Sequence, residues 1–92
     1  MANNQMLTPL QTVIDFAAEF GYPATAAVEV QNFGGGGQRH LIVYDADPST
    51  NGYAAFAQAP NGSRIEYPTA HHTYLKSGAV GSGVNGTWAM VA

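Results

Sequence analysis

The chain contains no cysteine, which excludes a disulfide framework and any thiolate metal site. Charge is almost as scarce: charged residues are 10% of the chain, against about 25% in a typical soluble domain. Only Arg39, Arg64 and Lys76 are basic, too few and too scattered to neutralise a row of phosphates, so no nucleic-acid partner is expected. No apolar run approaches the length that spans a bilayer, and no membrane partner is expected either. The first ten residues, MANNQMLTPL, have neither a basic segment nor an apolar core. No secretory signal is visible, and synthesis in a cytoplasm is expected.

Large aliphatic side chains are also in short supply. Hydrophobic residues make up 46% of the chain, yet fifteen of them are Ala, and Leu, Ile, Val and Phe together number eighteen. A domain of this size buries roughly 60–65% of its unfolded surface, so the core must be small. The net charge is only −3, whereas a monomer bathed in water ordinarily carries more charge for solubility. The composition therefore points to a surface covered by other protein, in a homo-oligomer or a larger assembly.

Residues 1–7 are polar and unpatterned and read as a flexible arm, followed by one compact domain over 8–92. Thr8, Pro9 and Gln11 make an N-terminal capping pattern. Behind it Leu10, Val13, Ile14, Ala17 and Phe20 share one side of a helical wheel, and Gln11, Thr12, Asp15 and Glu19 share the other, predicting an amphipathic helix that Gly21 and Pro23 end. From Ala24 the period becomes two: Val28 and Val30 alternate with Glu29 and Gln31, a half-buried strand. The tetraglycine Gly34–Gly37 then leads into RHLIVYD, Arg39 to Asp45, whose side chains are large and apolar on both faces. Such a strand is usually central, with a layer on each side. The two runs predict an antiparallel hairpin.

A glycine loop also invites a phosphate-cradle reading, but a β-type run follows where a helix N-terminus or a Lys-Ser/Thr pair is needed. Asp45, Asp47 and Asn51 sit like the start of a calcium loop. That match fails because its sixth position is Thr50 and its twelfth is Phe56, and the stretch reads as a turn. Tyr53–Ala59 is expected as an Ala-rich strand, paired through the Pro60–Ser63 turn with Arg64–Tyr67. His71–Leu75 is a further extended segment, and Thr87–Ala92 closes the chain as a strand with Trp88 and Met90 on one face.

His71 and His72 with Asp45 and Asp47 are the one plausible ligand set, but adjacent histidines in a strand point to opposite faces. No nucleophile elbow is present. Neither a catalytic residue, a metal nor a cofactor is assigned, and a non-enzymatic role is expected. The fold expected is α+β, one N-terminal amphipathic helix packed on an antiparallel sheet of four to six strands. A small β-sandwich or barrel with a peripheral helix is the alternative.

The C-terminal segment Val80-Gly-Ser-Gly-Val-Asn-Gly-Thr-Trp88-Ala-Met90 resembles the closing segment of small bacteriophage virion proteins, in which a Gly-rich turn and a Gly-Thr-Trp run end a head or tail component. A basic residue often follows the Trp in that ending; here the position is Ala89. The resemblance implies a structural component of a phage particle, a capsid cement or decoration protein that staples neighbouring shell subunits, with a virion tail component as the alternative. It implies other virion proteins, a major capsid or tail protein, as partners, and homo-oligomers, commonly trimers. Residues expected at the interfaces are Asn3, Asn4 and Leu7 in the arm and Tyr53, Phe56, Trp88 and Met90 in the domain. A different class, a small acidic binding or inhibitor module acting on a host protein, would present Asp15, Glu19, Asp45 and Asp47.

Overall fold

A computed structural model of the chain describes residues 19–32, 37–80 and 83–92. These residues form one five-stranded sheet: β1 (Ala27–Asn32), β2 (Gln38–Val43), β3 (Arg64–Tyr67), β4 (His72–Lys76) and β5 (Trp88–Met90). The strands lie in chain order, with β1 and β5 at the edges. The predicted hairpin is present: β1 and β2 are antiparallel, with Val28 opposite Ile42 and Asn32 opposite Gln38.

Several expectations need correction. The described residues are mostly β, and apart from the single helical residue Glu19 their helical content is a 3₁₀ turn at Ala54–Phe56, so among the described residues the expected α+β class with an amphipathic helix on the sheet is not found. The helical pattern begun at Thr8 lies outside the described residues up to residue 18, and so does the arm at 1–7. Nor does the sheet form a sandwich or barrel; it is a single open sheet. It is mixed rather than antiparallel, because β2 and β3 run parallel, Leu41 beside Arg64 and Val43 beside Glu66. Parallel neighbours require a long crossover, and the segment 44–63 supplies it. That segment therefore holds turns and the 3₁₀ element in place of the expected Tyr53–Ala59 strand. The reason is a period of three: Tyr53, Phe56 and Ala59 recur at the spacing that brings side chains over one another in a 3₁₀ turn, with Phe56 and Ala59 buried.

Strand alternation sorts the side chains between two faces. On the front lie Val28, His40, Ile42, Ile65, Tyr74 and Trp88, all buried, and the crossover adds Phe56 and Ala59 while the chain before β1 adds Tyr22 and Ala26. Phe56 is the centre of this layer, with its ring 5.2 Å from Tyr22 and 5.1 Å from Tyr44. Its carbonyl accepts the Trp88 indole N–H at 3.1 Å, so the lone tryptophan is buried with its donor satisfied. The back face has no layer over it among the described residues, contrary to the expectation of a central strand covered on both sides.

Lys76 is buried on the front face, its Nζ donating to the carbonyls of Ala57 at 2.8 Å and Ala59 at 2.7 Å. Burial holds this ammonium below its ordinary pKa. The two carbonyls lie at the end of the 3₁₀ turn, where unpaired oxygens need donors. The long connection from β4 to β5 is fastened to Asn61. That buried side chain accepts from Gly86 N at 2.7 Å and donates to Asn85 Oδ1 at 3.3 Å, and its own backbone N–H bonds Gly83 O at 2.8 Å. A methyl group at Gly86 would overlap the Ser77 carbonyl oxygen and crowd Asn61 Oδ1. Gly86→Ala is therefore expected to destabilise the protein by about 1–3 kcal/mol, the usual cost of forcing atoms into filled space. A lowered denaturant midpoint with an unchanged slope would register it.

Candidate functional site

Two surfaces stand out, one on each face of the sheet. The first is a cleft on the front, built where β3 turns into β4. Pro68 cannot continue the ladder as a donor, and residues 68–71 form a turn closed by His71 N bonding Pro68 O at 3.0 Å, with His71 at φ 58°. The turn leaves Tyr67 and His72 directly paired across the hairpin. Tyr74 follows two residues later on the same face, with Met90 of β5 opposite it. The crossover brings Asp47 and Tyr53 to this end of the sheet. Asp45 ties it down, its carboxylate accepting from Thr69 N at 3.0 Å and Thr69 Oγ1 at 2.8 Å.

Tyr74 forms the floor of the cleft, Tyr53, Tyr67 and His72 its walls, and Asp47 and Met90 its rim, around a volume of about 470 Å³. The Tyr53 backbone is left-handed, φ 65°, a costly conformation for a bulky residue. It sets the ring against two aromatics at once: Tyr74 at 6.0 Å, near-perpendicular, and Trp88 at 6.2 Å, stacked at 26°. His72 approaches Tyr74 edge-on at 6.4 Å.

Asp47 Oδ1 accepts from the hydroxyl of Ser49 at 2.7 Å and from its backbone N–H at 2.9 Å. Those two bonds, in that order of weight, hold its carboxyl below the usual carboxylate range, with a smaller contribution from His72. Oδ2 accepts no hydrogen bond from any described residue. Burial chiefly, then the charge of Asp47 and the phenols of Tyr53 and Tyr67, raise the pKa of Tyr74. These groups therefore feel one another across the cleft. His72 Nδ1 lies 3.1 Å from the main-chain oxygen of Ala92. Since that oxygen only accepts, Nδ1 carries the proton and the neutral ring keeps its lone pair on Nε2.

The cleft is thus aromatic and anionic on one side, and the Ser49 hydroxyl at its edge donates to Asp47. Among the described residues no three His, Asp or Glu converge as a metal site. Of the residues expected at interfaces, Met90 is 54% exposed, Tyr53 half-buried, and Phe56 and Trp88 belong to the core. Asn3, Asn4 and Leu7 lie outside the described residues. Asp45 and His71 do not join Asp47 and His72: Asp45 is spent on Thr69, and His71 is exposed in the turn. Tyr67 and Tyr74 were not singled out in the sequence. Tyr67 shares a strand face with Ile65, and Tyr74 alternates with Leu75, which is the available signal.

The second surface is the back of the sheet. The pairings put Ala27, Val43 and Glu66 side by side, and Glu29, Leu41, Arg64, Leu75 and Ala89 in the next row. Apolar members stay in solvent, Val43 at 47% and Leu75 at 37% exposure, with Val91 beyond them at 56%. The charges among them are small in number: Arg64 pairs with Glu66 at 3.6 Å, and Thr73 donates to Glu66 at 2.8 Å. No family model matches the chain, and neither a curated protein nor a solved structure matches it.

Proposed function

We propose that this protein is a non-enzymatic structural component of a phage particle, a capsid cement protein that joins copies of itself and neighbouring shell subunits through the back of its sheet. The observation that carries the reading is that, among the described residues, Val43, Leu75 and Val91 stay in solvent on the back of the sheet, on a chain with so little charge. Apolar side chains held in water on one sheet face, around a single ion pair, are what a protein contact would cover. The edges of β1 and β5 supply unpaired backbone groups to which an extended segment of a neighbour adds as a further strand. The Gly-Thr-Trp ending supports placing this assembly in a virion rather than elsewhere.

The solution mass by light scattering over a range of concentrations tests the assembly. A closed oligomer is expected. Val43→Lys combined with Leu75→Lys is expected to return it to a monomer with an unchanged circular dichroism spectrum, because neither side chain belongs to the front-face core. An oligomer that survives both lysines would remove the back face from consideration. Co-sedimentation of the wild-type protein with purified capsids separates the cement role from self-association alone.

A further inference from the structure

We propose that the front-face cleft receives an arginine side chain of a partner protein. The site offers what a guanidinium takes: the phenol rings of Tyr53 and Tyr74 6.0 Å apart with Tyr67 lining the same cleft, a carboxylate whose second oxygen accepts from no described residue, and an imidazole acceptor. Tyr53, Tyr67 and Tyr74 present π systems whose faces attract a cation. Asp47 is fixed through Oδ1 by Ser49, which leaves Oδ2 unengaged, and His72 holds its proton on Nδ1 toward Ala92, leaving Nε2 as acceptor. Two separated acceptors beside aromatic walls suit a planar fork of donors better than a compact ammonium.

The occupant must come from another molecule if it is a basic side chain. The chain contains three Lys and Arg residues in all, and each is engaged away from the cleft. Lys76 Nζ serves the carbonyls of Ala57 and Ala59, Arg39 Nε donates to Gln31 at 2.8 Å, and Arg64 pairs with Glu66 on the back face. The net charge of −3 favours the approach of a basic partner as a whole. This inference does not depend on the virion reading and uses the opposite face of the sheet.

Titration of the ¹⁵N-labelled full chain with N-acetyl-arginine amide, followed by amide chemical shifts, tests it. The neutral isostere N-acetyl-citrulline amide serves as the comparison. Saturable shifts are expected at residues 47, 49, 53, 67, 72–74 and 90, with arginine binding about tenfold more tightly than citrulline, the order expected for a cation–π contact reinforced by a carboxylate. Asp47→Asn keeps the amide oxygen that holds the Ser49 turn, so it should fold normally while the preference for arginine falls to within about twofold. Tyr67→Leu should weaken arginine binding without moving shifts outside the cleft. Equal binding of both ligands to the wild type, shifts centred on Glu29 or Glu66, or an Asp47→Asn protein that still prefers arginine tenfold would each overturn the proposal.

Discussion

Phe56→Ala is expected to remove about 3–5 kcal/mol of stability, the range for deleting a buried phenylalanine. A chain of 92 residues has roughly 5–14 kcal/mol in total at about 0.05–0.15 kcal/mol per residue, so the loss takes a large share. Phe56 is fully buried at the point where the crossover meets the sheet, against Tyr22 and Tyr44. Nothing nearby collapses easily into the space it would leave. The neighbours in sequence are alanines, and Ala54, Ala55 and Ala57 point outward. The effect is not confined to lost contact area, because the backbone of the same residue accepts the Trp88 indole proton. A 3₁₀ turn loosened by the missing ring would leave that buried donor unpaired. Urea unfolding monitored by tryptophan fluorescence reads both consequences. Phe56→Leu, which keeps most of the volume, should cost much less, under about 2 kcal/mol. Near-equal midpoints for Phe56→Ala and wild type would mean that the crossover does not depend on this ring.

Alternation in VEVQN and RHLIV was enough to place β1 and β2, because an antiparallel hairpin is decided by residues close in sequence. The parallel partnership of β2 with β3 was not legible. It depends on twenty intervening positions folding back over one face, and none of the local patterns in Arg64–Tyr67 distinguishes a strand paired with β2 from one paired with its own neighbour. The alanines of 53–59 hid the deciding period. With so few large side chains, spacing two and spacing three both fit the sequence, and only the burial of Phe56 and Ala59 beside exposed Ala55 and Ala57 selects three. The role of Lys76 was hidden in another way. A lysine reads as solvated surface, yet here its stem crosses the core and its head group satisfies two carbonyls that the crossover leaves open. The same dependence on the crossover kept the cleft out of view. Tyr67, His72 and Tyr74 follow from strand alternation alone, but Asp47 and Tyr53 reach them only through a turn stapled by Asp45 to Thr69.

Lowering the pH from about 6.5 to about 4 is expected to weaken the fold by about 3 kcal/mol through His40 alone. Its ring is only 1% exposed and lies 4.2 Å from the ring of Phe20, with Nδ1 bonded to the Tyr22 hydroxyl at 2.8 Å. The backbone N–H donates to Ser63 Oγ at 2.9 Å, and Nε2 has no partner among the described residues. Burial lowers the pKa of the imidazole from 6.5 to about 4, since a charged ring there would lose water and gain no carboxylate in return. Tyr22, the titratable group in contact with it, is pushed above its ordinary range by burial and stays a neutral phenol. Between the two values the unfolded chain binds one proton more than the folded one. Stability therefore rises with pH across this window, by about 1.4 kcal/mol per pH unit, and is fully present above 6.5. The carboxylates Asp45 and Asp47, whose pKa values are lowered by Thr69 and Ser49, act in the opposite corner, losing their contribution only as the pH falls below about 4. The two windows are separable in one experiment. Unfolding free energies of wild type and His40→Gln, measured at half-unit steps from pH 7 to 3.5, should diverge only above pH 4. The wild-type curve should climb to a plateau near pH 6.5, and the glutamine variant should stay flat through the same range. A wild-type profile with no slope between pH 4 and 6.5 would mean that the protonated ring finds a partner or water in the folded protein, and that the buried, unpaired Nε2 is not what sets its acid sensitivity.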